Sequence, residues 1–242
     1  MKNRLTLAIF VLTIAGLACN LPASTPPVAA SPSPTLFIPP AATANVTPLA
    51  PARAFFEENF NTDVTDWSAL VTSGDVDLLD LRVQKGFWVF DIGGRDLNAL
   101  AFYQPNIYKN VRMDFRVKDQ GGTAHAIHAV CRYTKEEGWY QFEIFNSGLY
   151  NLYYFVWDED MKPKSTLLLK GASDAMREGS AGNEFSVICN ERALTLYING
   201  QMAASYVDNQ YVLRAGQIGL GVSSFEQLPV RVEFDWVKFV LP

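Results

Sequence analysis

Strict alternation of apolar and polar residues, repeated in one short segment after another, constrains the fold of this chain more than any other feature. Val111-Arg-Met-Asp-Phe-Arg-Val117 sets Val111, Met113, Phe115 and Val117 against Arg112, Asp114 and Arg116. A period of two belongs to an extended strand with one buried and one wet face. The same reading applies to Tyr140, Phe142 and Ile144, to Phe185, Val187 and Cys189, and to Leu194, Leu196 and Ile198. After the last of these, Asn199-Gly200 supplies a two-residue hairpin turn, with a return strand over Gln201–Tyr206. Further strands are expected over Gly216–Gly221 and Val230–Val240. The one helical candidate is the short segment Ser173–Glu178. Many short strands with almost no helix indicate an all-β sandwich or barrel.

The first half-hundred residues are of another kind. Lys2 and Arg4 precede an apolar run from Leu5 to Leu17, then Ala18-Cys19. A charged start, a short apolar core and a small residue before a cut describe a secretory signal over 1–18. The run is shorter than the ~20 residues of a membrane span, which leaves an uncleaved signal anchor as the alternative. Gly16-Leu17-Ala18-Cys19 resembles the lipobox of bacterial lipoproteins. That resemblance implies lipidation of Cys19, attachment to the cell membrane, and a domain facing its extracytoplasmic side. From Asn20 to Ala52 no residue is charged, and nine of the chain's 13 prolines lie there. Such a segment cannot offset its ordering entropy by burial, so residues 19–53 are expected to be a flexible tether and 54–242 the folded domain. About 190 residues suit a single sandwich.

Without Lys2 and Arg4 the chain keeps 18 basic against 25 acidic residues, a net charge of −7. No Lys/Arg cluster, P-loop or G-x-G-x-x-G is present, which argues against nucleic acid as a partner. With Cys19 taken by lipid, Cys131 and Cys189 remain. Outside the cytoplasm such a pair is usually a disulfide; two buried thiols in neighbouring strands are the alternative.

Several features in order resemble the concanavalin A-like jelly-roll superfamily, which includes laminin G domains, legume lectins and laminarinases. They are Glu58-Asn-Phe60 followed by Trp67, then Val130-Cys-Arg-Tyr133, Trp139-Tyr-Gln-Phe142 and Ser147-Gly-Leu-Tyr150. Later come Asn183, Cys189, Leu194-Thr-Leu-Tyr-Ile-Asn-Gly200, Asp208, Gly216-Gln-Ile-Gly-Leu-Gly221 and Phe234-Asp-Trp-Val237. The resemblance covers Phe55 to the C-terminus and implies a jelly-roll β-sandwich. In the lectin and hydrolase members it implies a concave sheet face that takes the ligand.

Laminarinase-like hydrolases on that fold carry E-x-D-x-x-E on one strand, whose alternation aims the carboxylates at one cleft. Here Glu233-Phe-Asp235 fits the first two positions, but Lys238 stands at the third, and the segment is read as structural. Asp158-Glu-Asp160, before Pro163, is read as a solvated loop tip. Asp75, Asp77 and Asp80 cluster in a segment with no glycine at the turn position of an EF-hand loop, and are read as solvated or as a weak calcium contact. No cofactor is expected, with a structural calcium left open. His125 and His128, three apart on a strand, point to opposite faces and cannot share a metal.

The stretch Leu149-Tyr-Asn-Leu-Tyr-Tyr-Phe-Val-Trp157 is apolar on both faces. Either it is a fully buried central strand or one face lines a groove. Sugar rings stack on aromatic faces while amide and charged side chains fix hydroxyls. The candidate ligand set is therefore Arg132, Trp139, Gln141, Asn151, Tyr153 and Trp157. The leading reading is a non-catalytic module binding a glycan or another cell-envelope ligand. An extracellular glycoside hydrolase and a structural or protein-interaction domain are the alternatives.

Overall fold

The computed structural model describes residues 54–119, 123–177 and 182–242. The expected signal over 1–18, the lipidation site Cys19 and the tether to residue 53 lie outside the described residues.

Among the described residues the domain has fifteen strands in two antiparallel sheets. In spatial order the first sheet runs β13 (Gln201–Val207), β12 (Ala193–Ile198), β11 (Asn183–Asn190), β6 (Val111–Asp119), β15 (Val230–Val240), β4 (Phe87–Ile92) and β3 (Leu79–Gln84). The short β1 (Glu57–Glu58) also pairs with β15. The second sheet runs β10 (Pro163–Ala172), β9 (Leu149–Trp157), β8 (Gly138–Phe145), β7 (His125–Thr134), β14 (Gln217–Ser224), β5 (Asn98–Tyr103) and β2 (Trp67–Ser73). Nearly every neighbour in either sheet comes from elsewhere in the sequence or from a tight hairpin, so alternation and turn chemistry set the register.

One core lies between the sheets. The first contributes Met113, Phe115, Phe185, Val187, Leu194, Leu196 and Phe234; the second contributes Ala129, Tyr140, Phe142, Leu152, Ile218 and Leu220, all at most 1% exposed. Each large apolar side chain buried there contributes roughly 1.5–3 kcal/mol. Asn199 and Gly200 both have positive φ, at 49° and 81°, as the tight hairpin between β12 and β13 requires. Cys131 on β7 and Cys189 on β11 form a disulfide between the two sheets, with Cα atoms 6.7 Å apart.

Residues 208–216 cross one end of the sandwich. The buried Asp208 carboxylate accepts from the Tyr140 hydroxyl and from the N–H groups of Gln210 (3.0 Å), Tyr211 (3.1 Å) and Val212 (2.5 Å). The Leu213 N–H in turn donates to the Tyr140 oxygen at 3.1 Å. Burial opposes the charge on Asp208, but these donors together hold its carboxyl below the usual range.

The expected helix over Ser173–Glu178 does not form in its described part: residues 173–177 make a turn. Side chains take the backbone groups a helix would use. Asn199 Nδ2 donates to the Ala175 carbonyl at 2.6 Å, and the Asn183 amide bonds both the N–H and the carbonyl of Arg177 at 2.8 and 2.9 Å. Among the described residues the one helical segment is the 3-10 turn Val76–Leu78, with Asp75 Oδ1 accepting from Asp77 N–H.

Candidate functional site

The second sheet has a face turned away from the core, and alternation decides which side chains occupy it. On β8 the core takes Tyr140, Phe142 and Ile144, which leaves Trp139, Gln141 and Glu143 outside. On β9 it takes Tyr150 and Leu152, leaving Asn151, Tyr153, Phe155 and Trp157. The same rule puts His128 and Val130 of β7, Gly219, Gly221 and Ser223 of β14, and Asn98, Leu100 and Phe102 of β5 on this outer face. Leu149–Trp157 is thus a strand with one core face and one outer face.

This face is concave. Leu70 on β2 and Trp157 on β9 are separated by four strands, and a flat sheet would hold them roughly 24 Å apart. Instead they line one cleft of about 370 Å³, together with Val71, Thr72, Tyr133, Lys135 and Met161.

One end of the face is aromatic. Trp139 is its floor, 1% exposed, stacked on Phe155 with centroids 5.0 Å apart and planes at 5°. Trp157 and Tyr133 lean on the same indole at 5.1 and 5.5 Å, and Tyr133 stacks on Phe102 at 4.0 Å. Tyr133, Tyr153, Phe155 and Trp157 are half-buried, so their outer surfaces stay open. Gly138 permits the approach of β8 to β9 here: a Cβ on it would stand 1.9 Å from the Phe155 carbonyl oxygen.

The other end is polar. Gln141 is buried and fully engaged, its Oε1 accepting from Trp139 Nε1 at 3.0 Å and its Nε2 meeting His128 Nδ1 at 3.0 Å. Burial lowers the His128 pKa from 6.5 to about 3. Asn151 Nδ2 donates to Glu143 Oε2 at 2.9 Å and lies 3.1 Å from the Tyr153 hydroxyl. Burial raises the Glu143 pKa, against the hydrogen bonds from Asn151 and Tyr153. Burial and then the Glu143 charge raise that of Tyr153.

Five of the six sequence candidates share this face. Asn151, Tyr153 and Trp157 are partly open on it, whereas Trp139 and Gln141 lie beneath as support. Arg132 is a correction. A bulge follows Cys131, Arg132 takes a φ of 58°, and alternation fails there. Its guanidinium is buried at the end of the sandwich, donating to the carbonyls of Leu213 at 2.8 Å and Lys109 at 3.3 Å. Burial lowers its pKa, and its role is to hold the 208–216 crossing. His128, Glu143 and Phe155 are the site residues that the candidate set omits. The parity that selects Gln141 and Tyr153 also selects Glu143 and Phe155, and β7 parity selects His128.

Glu233 and Asp235 lie elsewhere, on the first sheet. Glu233 is paired with Arg231 at 3.0 Å, and Asp235 lies 3.5 Å from Lys118 and 3.8 Å from Arg116. In the 158–162 turn, Asp158 Oδ1 accepts from the N–H groups of Asp160 and Lys162, an exposed loop tip. Among the described residues no three His, Cys, Asp or Glu side chains converge as metal ligands would.

The sequence matches no family profile and no curated protein. Solved structures do resemble the domain. A Bacillus subtilis protein of unknown function with a galectin-like fold aligns at TM-score 0.58 and 10% identity, over 77% of this chain and 94% of that one. A Bacteroides ovatus glycoside hydrolase family 16 protein in complex with its product aligns at 0.55 and 12%, over 76% and 99%. A Bacillus licheniformis beta-glucanase aligns at 0.53 and 12%, over 78% and 98%. The fold is a concanavalin A-like jelly roll. At these identities the likeness concerns the jelly roll and not its chemistry.

Proposed function

We propose that this protein is a lipid-anchored surface protein whose jelly roll binds a glycan on its concave face without cleaving it. The observation that carries the reading is the division of that face. Half-open aromatic side chains at one end offer flat stacking surfaces to sugar rings, and Asn151, Glu143 and Tyr153 beside them offer hydroxyl partners. The beta-glucanase and the family 16 protein that share the jelly roll support a sugar as the ligand class.

Cleavage by the usual two-carboxyl chemistry needs a second carboxyl roughly 5–9.5 Å from the first. Among the described residues, the strand positions of the concave face carry Glu143 alone. The reading therefore makes the jelly roll a capture module. Lipidation of Cys19 would place it at the outer surface of the cell membrane on a proline-rich tether. A single acyl chain anchors weakly, and the several chains of a bacterial lipoprotein hold stably.

The test is a glycan array probed with the full-length protein in detergent, alongside Tyr153→Ala and Trp157→Ala variants. Binding of wild type to a defined group of glycans, lost in both variants, is the expected result. Binding that both variants retain would remove the concave face from the account.

A further inference from the structure

The cleft at the aromatic end of the concave face is open to solvent and poor in hydrogen-bond partners. Its volume of about 370 Å³ lies at the lower end of the roughly 300–1,000 Å³ of small-ligand sites, which suits one sugar unit with a substituent. Tyr133 and Trp157 form its aromatic side, half-buried and braced against Trp139. Leu70, Val71 and Met161 form aliphatic walls, the first two half-buried and Met161 52% exposed. Leu70, Tyr133 and Trp157 pack in turn on buried Leu100, Phe102, Val130 and Trp139, so the floor is apolar as well. Of the polar groups, the Trp157 Nε1–H is buried. That leaves Thr72, Lys135 and the Tyr133 hydroxyl to meet a ligand.

Met161 stands in the 158–162 turn, where its N–H donates to the Asp158 carbonyl at 3.0 Å and its φ is 58°. That left-handed backbone favours glycine or asparagine, yet the position carries an unbranched apolar side chain that lines the cleft. Met161 belongs to neither buried apolar cluster, so the core does not account for it. A side chain that is exposed and held on a strained backbone points to a ligand.

Lys135 lies in the hairpin turn between β7 and β8. Glu137 N–H donates to Thr134 Oγ1 at 3.0 Å and the Tyr154 hydroxyl donates to the Glu137 carbonyl at 2.9 Å, which fixes the turn. Lys109, Lys118, Lys162 and Lys238 have carboxylate partners, whereas Lys135 has none among the described residues. Glu136 and Glu137 follow it in the turn, and Asp158, Glu159 and Asp160 precede Met161. Such a rim disfavours an anionic ligand and leaves the ammonium as a donor to a neutral acceptor.

A plain sugar unit turns hydroxyls in every direction, and those facing Leu70, Val71 and Met161 would lose water without gaining a partner. An acetyl substituent suits the walls and the ammonium together. We infer that the cleft is a subsite for an acetylated sugar: the ring stacks on Tyr133 or Trp157, the acetyl carbonyl accepts from Lys135, and the methyl group packs against Leu70, Val71 and Met161. The inference rests on the glycan reading and specifies its substrate class. An amide on an amino sugar and an ester on a hydroxyl present the same group.

The test is calorimetry on the full-length protein, in a detergent without a sugar headgroup, with two matched pairs of probes. N-acetylglucosamine and glucose oligomers of the same β-1,4 linkage test the amide; acetylated and alkali-deacetylated xylan oligosaccharides test the ester. In one pair the acetylated member should bind at least about tenfold more tightly, from one buried methyl and one hydroxyl spared desolvation; which pair does so names the source. Lys135→Met should weaken that member about fivefold. Met161→Gly should reduce the preference about threefold or more, with a thermal midpoint at or above the wild-type value, because glycine suits that backbone. Equal affinities within both pairs, or a preference that Met161→Gly leaves whole, would overturn the subsite and leave the glycan reading standing. If neither pair binds, the subsite is overturned, and the glycan array decides the wider reading: a bound unacetylated glycan keeps it, and an array without binding ends it.

Discussion

Acidification should destabilise the domain through His128, and the amount can be worked out. The ring is wholly buried, and burial lowers its pKa to about 3 from 6.5. Between those values the unfolded chain binds a proton that the folded chain refuses. Stability therefore falls as pH drops below 6.5, with a slope approaching about 1.4 kcal/mol per pH unit. From pH 7.5 to pH 5 the loss is about 2 kcal/mol. Glu143, facing His128 across the β7–β8 pair, acts with the opposite sign. Its raised pKa means that the folded state holds a proton more tightly, so its contribution falls as pH rises through the carboxylate range. The wild-type slope is thus shallower than the His128 share alone, and Glu143→Gln should steepen it. Urea unfolding followed by tryptophan fluorescence at pH 7.5 and 5.0 reads the effect. His128→Phe should lose about 2 kcal/mol less than wild type over this interval. Identical losses in the two proteins would show that the ring titrates as a solvated histidine and that the burial argument is wrong.

Three further outcomes are expected. Replacing Cys131 and Cys189 together by Ala should cost about 4 kcal/mol, the chain-entropy value for a loop closed across 58 residues, measured by denaturant unfolding under non-reducing conditions. On the aromatic end, Tyr153→Ala should leave the thermal midpoint within a few degrees of wild type while abolishing glycan binding. Trp139→Ala, which empties the floor, should lose roughly 3–5 kcal/mol of stability. Cys19→Ser should move the protein from the membrane fraction to the soluble fraction of fractionated cells; full retention in the membrane would point to an uncleaved apolar anchor.

Where alternation is strict, the strands and their buried faces are legible in the sequence. Val111–Val117, the three apolar residues from Tyr140, and the Asn199-Gly200 hairpin all take the faces and turns that their patterns predict. Legibility fails where a local irregularity resets the parity. Arg132 should stand opposite Cys131, but the bulge and positive φ turn it toward the end of the sandwich. The Ser173–Glu178 segment has the composition of a helical turn, but distant Asn183 and Asn199 take its backbone groups. Leu149–Trp157 is ambiguous by composition, since both faces are apolar; only the packing of Tyr150 and Leu152 against the first sheet decides it. The relay from Trp139 to His128 depends on cross-strand register between β7 and β8, which one strand's pattern does not carry.

The most direct measurement is a calorimetric titration of the full-length protein with the glycan it captures most tightly on an array, followed by chromatography of the recovered glycan. The account predicts saturable one-site binding that Trp157→Ala eliminates, and a glycan recovered at its original length. A shortened glycan would establish catalysis, and undiminished binding by Trp157→Ala would place the ligand somewhere other than the concave face.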